Sequence, residues 1–135
     1  MKNLIIPETD FTPRVNFIID SGHLELSGIS RPEDVADFYE EPLHWLGELE
    51  NSILGKSEFK YQLEALNFDI KLSYFNSSSS KYLIMMLKHI KNLIDNGVTV
   101  KIDWYYEEGD DKMQEDGEDL ADAVDLEFNY IEIED

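Results

Sequence analysis

No cysteine occurs among the 135 residues, which excludes disulfides and thiolate metal sites. Positive charge is scarce: 11 lysines and arginines stand against 30 acidic residues, a formal net charge of −19. Nucleic-acid affinity comes chiefly from neutralised phosphates, so no nucleic-acid partner is expected. No run of about eighteen apolar residues exists, which argues against a membrane span. The opening Met1-Lys2-Asn3-Leu4-Ile5-Ile6-Pro7 is interrupted too soon for the apolar core of a signal peptide. The cytoplasm is therefore the expected compartment.

Catalytic signatures are missing too. There is no Gly-x-Ser-x-Gly elbow, no phosphate loop and no Gly-x-Gly-x-x-Gly fingerprint. The three histidines, His23, His44 and His89, fall in separate segments, and a lone histidine beside an amphipathic helix is more often structural or solvated than catalytic. The acidic segment from Gly109 to Glu118 invites a calcium-loop reading, but it fails on register. With Gly117 at the sixth position Lys112 falls at the first, and with Gly109 there Trp104 does; neither supplies the oxygen that position needs. Trp104, Tyr105 and Tyr106 lack basic neighbours that would suit base stacking, so they read as core and interface residues. No catalytic residue, metal or cofactor is expected.

What the chain does have is enough length for one domain with a substantial core, taken here as residues 1–135. Val15 to Asp20 and His23 to Ser27 are β-prone runs around Ser21-Gly22, a hairpin signal. Arg31-Pro32-Glu33-Asp34 opens a helix whose apolar stripe is Val35, Phe38, Tyr39, Leu43, Leu46 and Leu49. Pro42 lies inside that pattern and predicts a kink or a break near Glu41. Gly55-Lys56-Ser57 suggests a turn, and Phe59 to Leu63 a short strand. Val98 to Tyr106 reads as a strand, Asp111 to Val124 as a helix with Met113, Leu120, Ala121 and Val124 inside, and Leu126 to Glu134 as a closing strand. The order predicts an α/β domain whose later strands run parallel through right-handed crossovers. A mixed sheet of about four to six strands with helices mainly on one face follows. From Asp103 to Asp135 fifteen acidic residues face one cation, Lys112. Such a surface keeps a protein soluble and can steer basic protein partners toward it.

The middle of the chain is the most informative. Phe68, Ile70, Leu72 and Tyr74 alternate with polar residues as a half-buried strand does. Leu83, Met86, Leu87, Ile90, Leu93 and Ile94 recur at helical spacing. Asn76 and four serines lie between, residue types that cap helices by accepting hydrogen bonds from first-turn N–H groups. Gly97 suits the left-handed position beyond the last turn, with Lys88 and Lys91 toward that negative end. A capped helix start also suits phosphorylation, because free N–H groups and the dipole receive the added charge. Four exposed hydroxyls in a row exceed what capping requires.

Tyr74-Phe75-Asn76-Ser77-Ser78-Ser79, then Met85-Met86 and Trp104-Tyr105-Tyr106, resemble the SiaC-type regulatory phosphoproteins, bacterial relatives in shape of the STAS domains, the anti-sigma-factor antagonists. The family turn reads Tyr-Leu-Asn-Thr-Ser-Ser, and Ile6-Pro7-Glu8-Thr9 with Thr12-Pro13 is similar to the family's opening Ile-Pro-x-Thr-x-x-Thr-Pro. The resemblance spans nearly the whole chain and implies a STAS-like fold with no enzymatic activity. It also implies phosphorylation of the residue after the asparagine, Ser77, where the family has threonine. Ser78 is the second choice, since ordinary STAS domains often modify the second hydroxyl of their turn. Asn76, Ser77, Ser78, Ser79, Ser80 and Lys81 would form the partner-binding surface. By the same resemblance a serine/threonine kinase and a PP2C-type phosphatase would set the state. The unmodified form would activate a diguanylate cyclase, a link to cyclic-di-GMP and biofilm formation. The alternatives are a constitutive acidic interaction module, or an anti-sigma-factor antagonist acting on a different partner; oligomeric state stays open.

Overall fold

The structure, a computed structural model, describes residues 1–55 and 65–134. The turn expected around Lys56-Ser57 and the strand expected over Phe59 to Leu63 lie outside them. The elements are β1 (Leu4–Ile6), β2 (Arg14–Ile18), β3 (His23–Ser30), α1 (Val35–Ile53), β4 (Ala65–Phe75), α2 (Ser77–Asp95), β5 (Thr99–Glu107), α3 (Asp111–Val124) and β6 (Asn129–Ile133). The strands form one sheet in the order β1-β2-β3-β4-β5-β6. The first three pair antiparallel and β3 through β6 pair parallel. Each parallel step crosses over through one helix, and sequential right-handed crossovers place all three helices on one face. There they pack in the order α1-α2-α3.

The core lies between that helical layer and the inward side of the sheet. Phe17, Leu24, Leu26, Phe68, Ile70, Ile102 and Trp104 meet Tyr39, Leu46, Leu49, Met86, Leu87 and Ile90, all nearly inaccessible. Helix α3 approaches most closely at Gly117, where an added Cβ would stand 2.5 Å from the Trp104 indole nitrogen. That nitrogen donates to the Met113 carbonyl at 2.9 Å, which ties the helix to β5.

No described helix or strand covers the opposite sheet face, which is polar rather than apolar. Asp69 and Asp103 sit side by side in register on β4 and β5, buried by their neighbours. His23 lies 2.6 Å from Asp69, Asn67 donates to Asp69, and Asn129 donates to Asp103. Lys71 stands over the Tyr105 ring. Desolvation, followed by the charges of Asp69, Asp103 and Glu25, raises the Tyr105 pKa.

Several expectations need correction. The hairpin turn is four residues, Ile19 to Gly22, because only Gly22 takes a positive φ; a two-residue type I′ turn needs two such residues. The first helix begins at Val35, and Asp34 is its cap rather than part of its first turn, accepting from the Asp37 N–H at 3.1 Å. No break into two helices occurs at Pro42, which is buried within one continuous helix. Packing of the residues around it offsets the one backbone hydrogen bond that proline forgoes. The short edge strand β1 was not anticipated, since three apolar residues before a proline carry no readable period.

Candidate functional site

Helix α2 starts where β4 ends. Asn76 is its N-cap: the side-chain oxygen accepts from the Ser79 N–H at 2.9 Å. At the far end Gly97 takes φ +94°, as the left-handed terminator expected there. The approach to the cap depends on a bulge. Pairing with β3 runs from Gly28 opposite Leu72 to Ile29 opposite Tyr74, so Ser73 is an extra residue. One added residue reverses which face each following side chain takes. Tyr74, expected inside, is 48% exposed. Phe75 instead packs edge-on against Trp104, with ring centroids 6.1 Å apart.

The bulge also sets Ser30 opposite Phe75, directly below the serine turn. The Asn76 N–H donates to the Ser30 carbonyl at 3.1 Å. Ser79 is fully buried, so the four hydroxyls are not all exposed as expected. Its Oγ donates to the Ser30 carbonyl at 3.1 Å and accepts from Ser30 Oγ at 2.8 Å. Ser30 Oγ lies 2.6 Å from the Tyr39 hydroxyl, and with its own proton committed to Ser79 it accepts from Tyr39. Burial pushes the Tyr39 phenol up to about 12, with the hydroxyls of Ser30 and Ser79 opposing the shift. The Tyr39 ring stacks on Tyr82 at 5.6 Å. This relay binds α1, β3 and α2 together beneath the turn. Sequence reasoning missed it because Tyr39 reads simply as one member of an apolar stripe.

The remaining serines divide by environment. Ser80 is half-buried and its hydroxyl donates back to the Ser77 carbonyl at 2.6 Å. Ser78 is exposed and its hydroxyl donates to the capping oxygen of Asn76 at 3.2 Å. Ser77, the first helical residue, is exposed, and its hydroxyl makes no hydrogen bond among the described residues. Lys81 is exposed one turn further on, its ammonium 5.9 Å from the Tyr82 ring.

Ser77 opens onto a cleft of about 360 Å³ between α2 and α3. Phe75, Ile84, Leu120 and Ala123 give it apolar walls, and Lys112, Asp116 and Asp119 line its α3 side. Lys112 pairs with Asp116 at 2.8 Å. That hydrogen bond, more than the charge behind it, raises the lysine pKa. The histidines stay apart, each beside a different carboxylate: His23 by Asp69, His44 by Glu48, His89 by Glu50. Among the described residues no group of histidines and carboxylates is placed to hold a metal ion, and no helix is long and apolar enough to cross a membrane.

A mixed sheet with three helices on one face, presenting a capped hydroxyl turn at the start of the central helix, defines a protein of the α/β class. A family profile described as SiaC family regulatory phosphoprotein matches residues 6–133. The chain belongs to that family, and is a regulatory protein rather than an enzyme. An uncharacterized protein of Pseudomonas aeruginosa strain UCBPP-PA14 is 24% identical over 128 residues, 95% of this chain and 94% of that one. The solved structure of SiaC from P. aeruginosa superposes with a TM-score of 0.77 at 23% identity, covering all of both chains. A second structure, of the diguanylate cyclase SiaD in complex with its activator SiaC, gives 0.79 at 23% identity over 98% of this chain and 99% of that one. These likenesses establish that the fold is the SiaC fold.

Proposed function

We propose that this chain is a phosphorylation-controlled activator of a diguanylate cyclase, acting in the cytoplasm and switched at Ser77. The observation carrying the site assignment is the placement of Ser77: the first residue of α2, exposed, with a hydroxyl that is not tied into the cap. Its neighbours are each committed, Ser78 to Asn76, Ser79 to Ser30 and Ser80 to the backbone. The cyclase assignment is supported by family membership and by the likeness to an activator seen on its cyclase.

In this reading the unmodified turn, with Asn76, Ser77, Ser78 and Lys81 at its surface, docks on the cyclase. A serine/threonine kinase adds a phosphate that the helix start accommodates locally. The same dianion raises the desolvation cost of the docked interface and repels acidic groups across it. A PP2C-type phosphatase restores the binding form. Incubation with the cognate kinase followed by phosphosite mapping tests the switch; modification confined to other residues refutes it. Ser77→Ala is expected to keep stimulating cyclic-di-GMP synthesis after kinase treatment, and Ser77→Asp to stimulate it weakly without any kinase. The charge of −19 keeps a second reading in view, a constitutive acidic module. Salt-sensitive cyclase binding indifferent to both Ser77 variants would favour it.

A further inference from the structure

We propose that Lys112 is the binding residue for a phosphate on Ser77, so that modification clamps the start of α3 onto the start of α2 across the cleft. The proposal rests on Ser77 as the modified residue. Ser77 and Lys112 line opposite sides of the same cleft, which at about 360 Å³ has room for a phosphoryl group. From Asp103 to Asp135, a stretch holding fifteen acidic residues, Lys112 is the single cation. Its side chain is 80% exposed and, among the described residues, held only by an i,i+4 pair with Asp116. Exposed pairs of this kind are weak, and a phosphoserine offers nearly two negative charges and three acceptor oxygens in competition. Lys112 can turn toward the phosphate while Asp116 stays within reach.

The other charged groups facing this point set the competing outcomes. Asp116 and Asp119 on α3 repel the dianion, and Asp110 and Tyr74 flank Lys112 on its other side. Lys81, four residues after Ser77 on α2, is the rival cation. The amide groups at the start of α2 act equally in every variant and drop out of the comparison.

The test uses the full chain with phosphoserine installed at position 77 during translation, titrated by phosphorus NMR. A nearby cation stabilises the dianion and lowers its second pKa, ordinarily about 6. Lys112→Gln is expected to raise that pKa by about half a unit relative to the phosphorylated parent. Asp116→Asn, which frees Lys112 and removes a repelling charge, is expected to lower it, and Lys81→Gln to change it less than Lys112→Gln does. An unchanged pKa in Lys112→Gln, or a larger rise in Lys81→Gln, overturns the clamp. Because the phosphate is placed without a kinase, a failed clamp and a misassigned modification site give different results.

Discussion

At the scale of single residues, neighbouring serines of the same turn do opposite jobs. Ser79 closes a buried relay whose polar atoms are all satisfied, so Ser79→Ala leaves the relay one acceptor short for the proton that Ser30 donates. We expect a loss of about 1–3 kcal/mol in denaturant unfolding, whereas Ser77→Ala, on the surface, stays within about 0.5 kcal/mol of the parent. Tyr39 adds a pH signature. Its folded pKa, about 12, lies above the ordinary value of 10, so its contribution is intact below pH 10 and is lost as pH rises from 10 toward 12. Over that window the native state holds a proton that the unfolded state releases, which removes about 2–3 kcal/mol. Tyr39→Phe is expected to abolish that component of alkaline destabilisation, measured as the difference between unfolding curves at pH 9 and pH 11.5. Gly117 is decided by competing magnitudes. Alanine would add up to about 1 kcal/mol of helix propensity. Its Cβ, however, would meet the Trp104 ring at 2.5–2.7 Å, and overpacking a fixed ring costs about 1–3 kcal/mol. Gly117→Ala should therefore lower the melting temperature, although it looks like a helix-stabilising change.

At the scale of elements, long periodic segments and their local caps were legible, and features set by distant pairing were not. The last helix was expected over Asp111 to Val124 and lies there, because its inner positions recur every three or four residues and Asp110 caps it. The helix after the serines was equally readable, cap and terminator included. What escaped depends on partners distant in sequence. The edge strand β1 exists because β2 offers it a free edge. The bulge at Ser73 is visible only in the register of β3 against β4, and it is what turns Tyr74 outward and carries Ser30 under the turn. The cleft facing Ser77 has the same character: Asn76 and the serines could be found from local chemistry, but Lys112 and Asp116 reach them only through the crossover that packs α3 beside α2. The cap itself makes an element-scale prediction. Asn76→Ala removes the side-chain acceptor of the Ser79 N–H, leaving it the longer bond to the residue 76 carbonyl, and should cost about 1 kcal/mol. Hydrogen exchange is expected to quicken at the first turn of α2 while its last two turns keep their protection.

Over the whole molecule, charge is distributed by layer. Helices α1 and α3 are strongly acidic, whereas α2 between them carries Lys81, Lys88 and Lys91 against the single acid Asp95. The basic helix thus lies where two acidic neighbours would otherwise repel each other, with Lys91 reaching Asp125 at 3.7 Å beyond the end of α3. Two opposed effects of salt follow. Screening weakens the ion pairs, but most of those among the described residues have at least one exposed partner and are individually small. Screening also weakens the self-repulsion of a chain with net charge −19, which acts over a Debye length of about 30 Å at 0.01 M ionic strength and about 8 Å at 0.15 M. The repulsion involves many more charges than the pairs do, so it should dominate. The melting temperature is therefore expected to rise as sodium chloride goes from 0.01 to 0.3 M. Lys81→Glu with Lys88→Glu, which makes the central helix acidic as well, should steepen that rise. A melting temperature that falls with added salt would mean that the ion pairs, and not the net charge, govern the electrostatics of the fold.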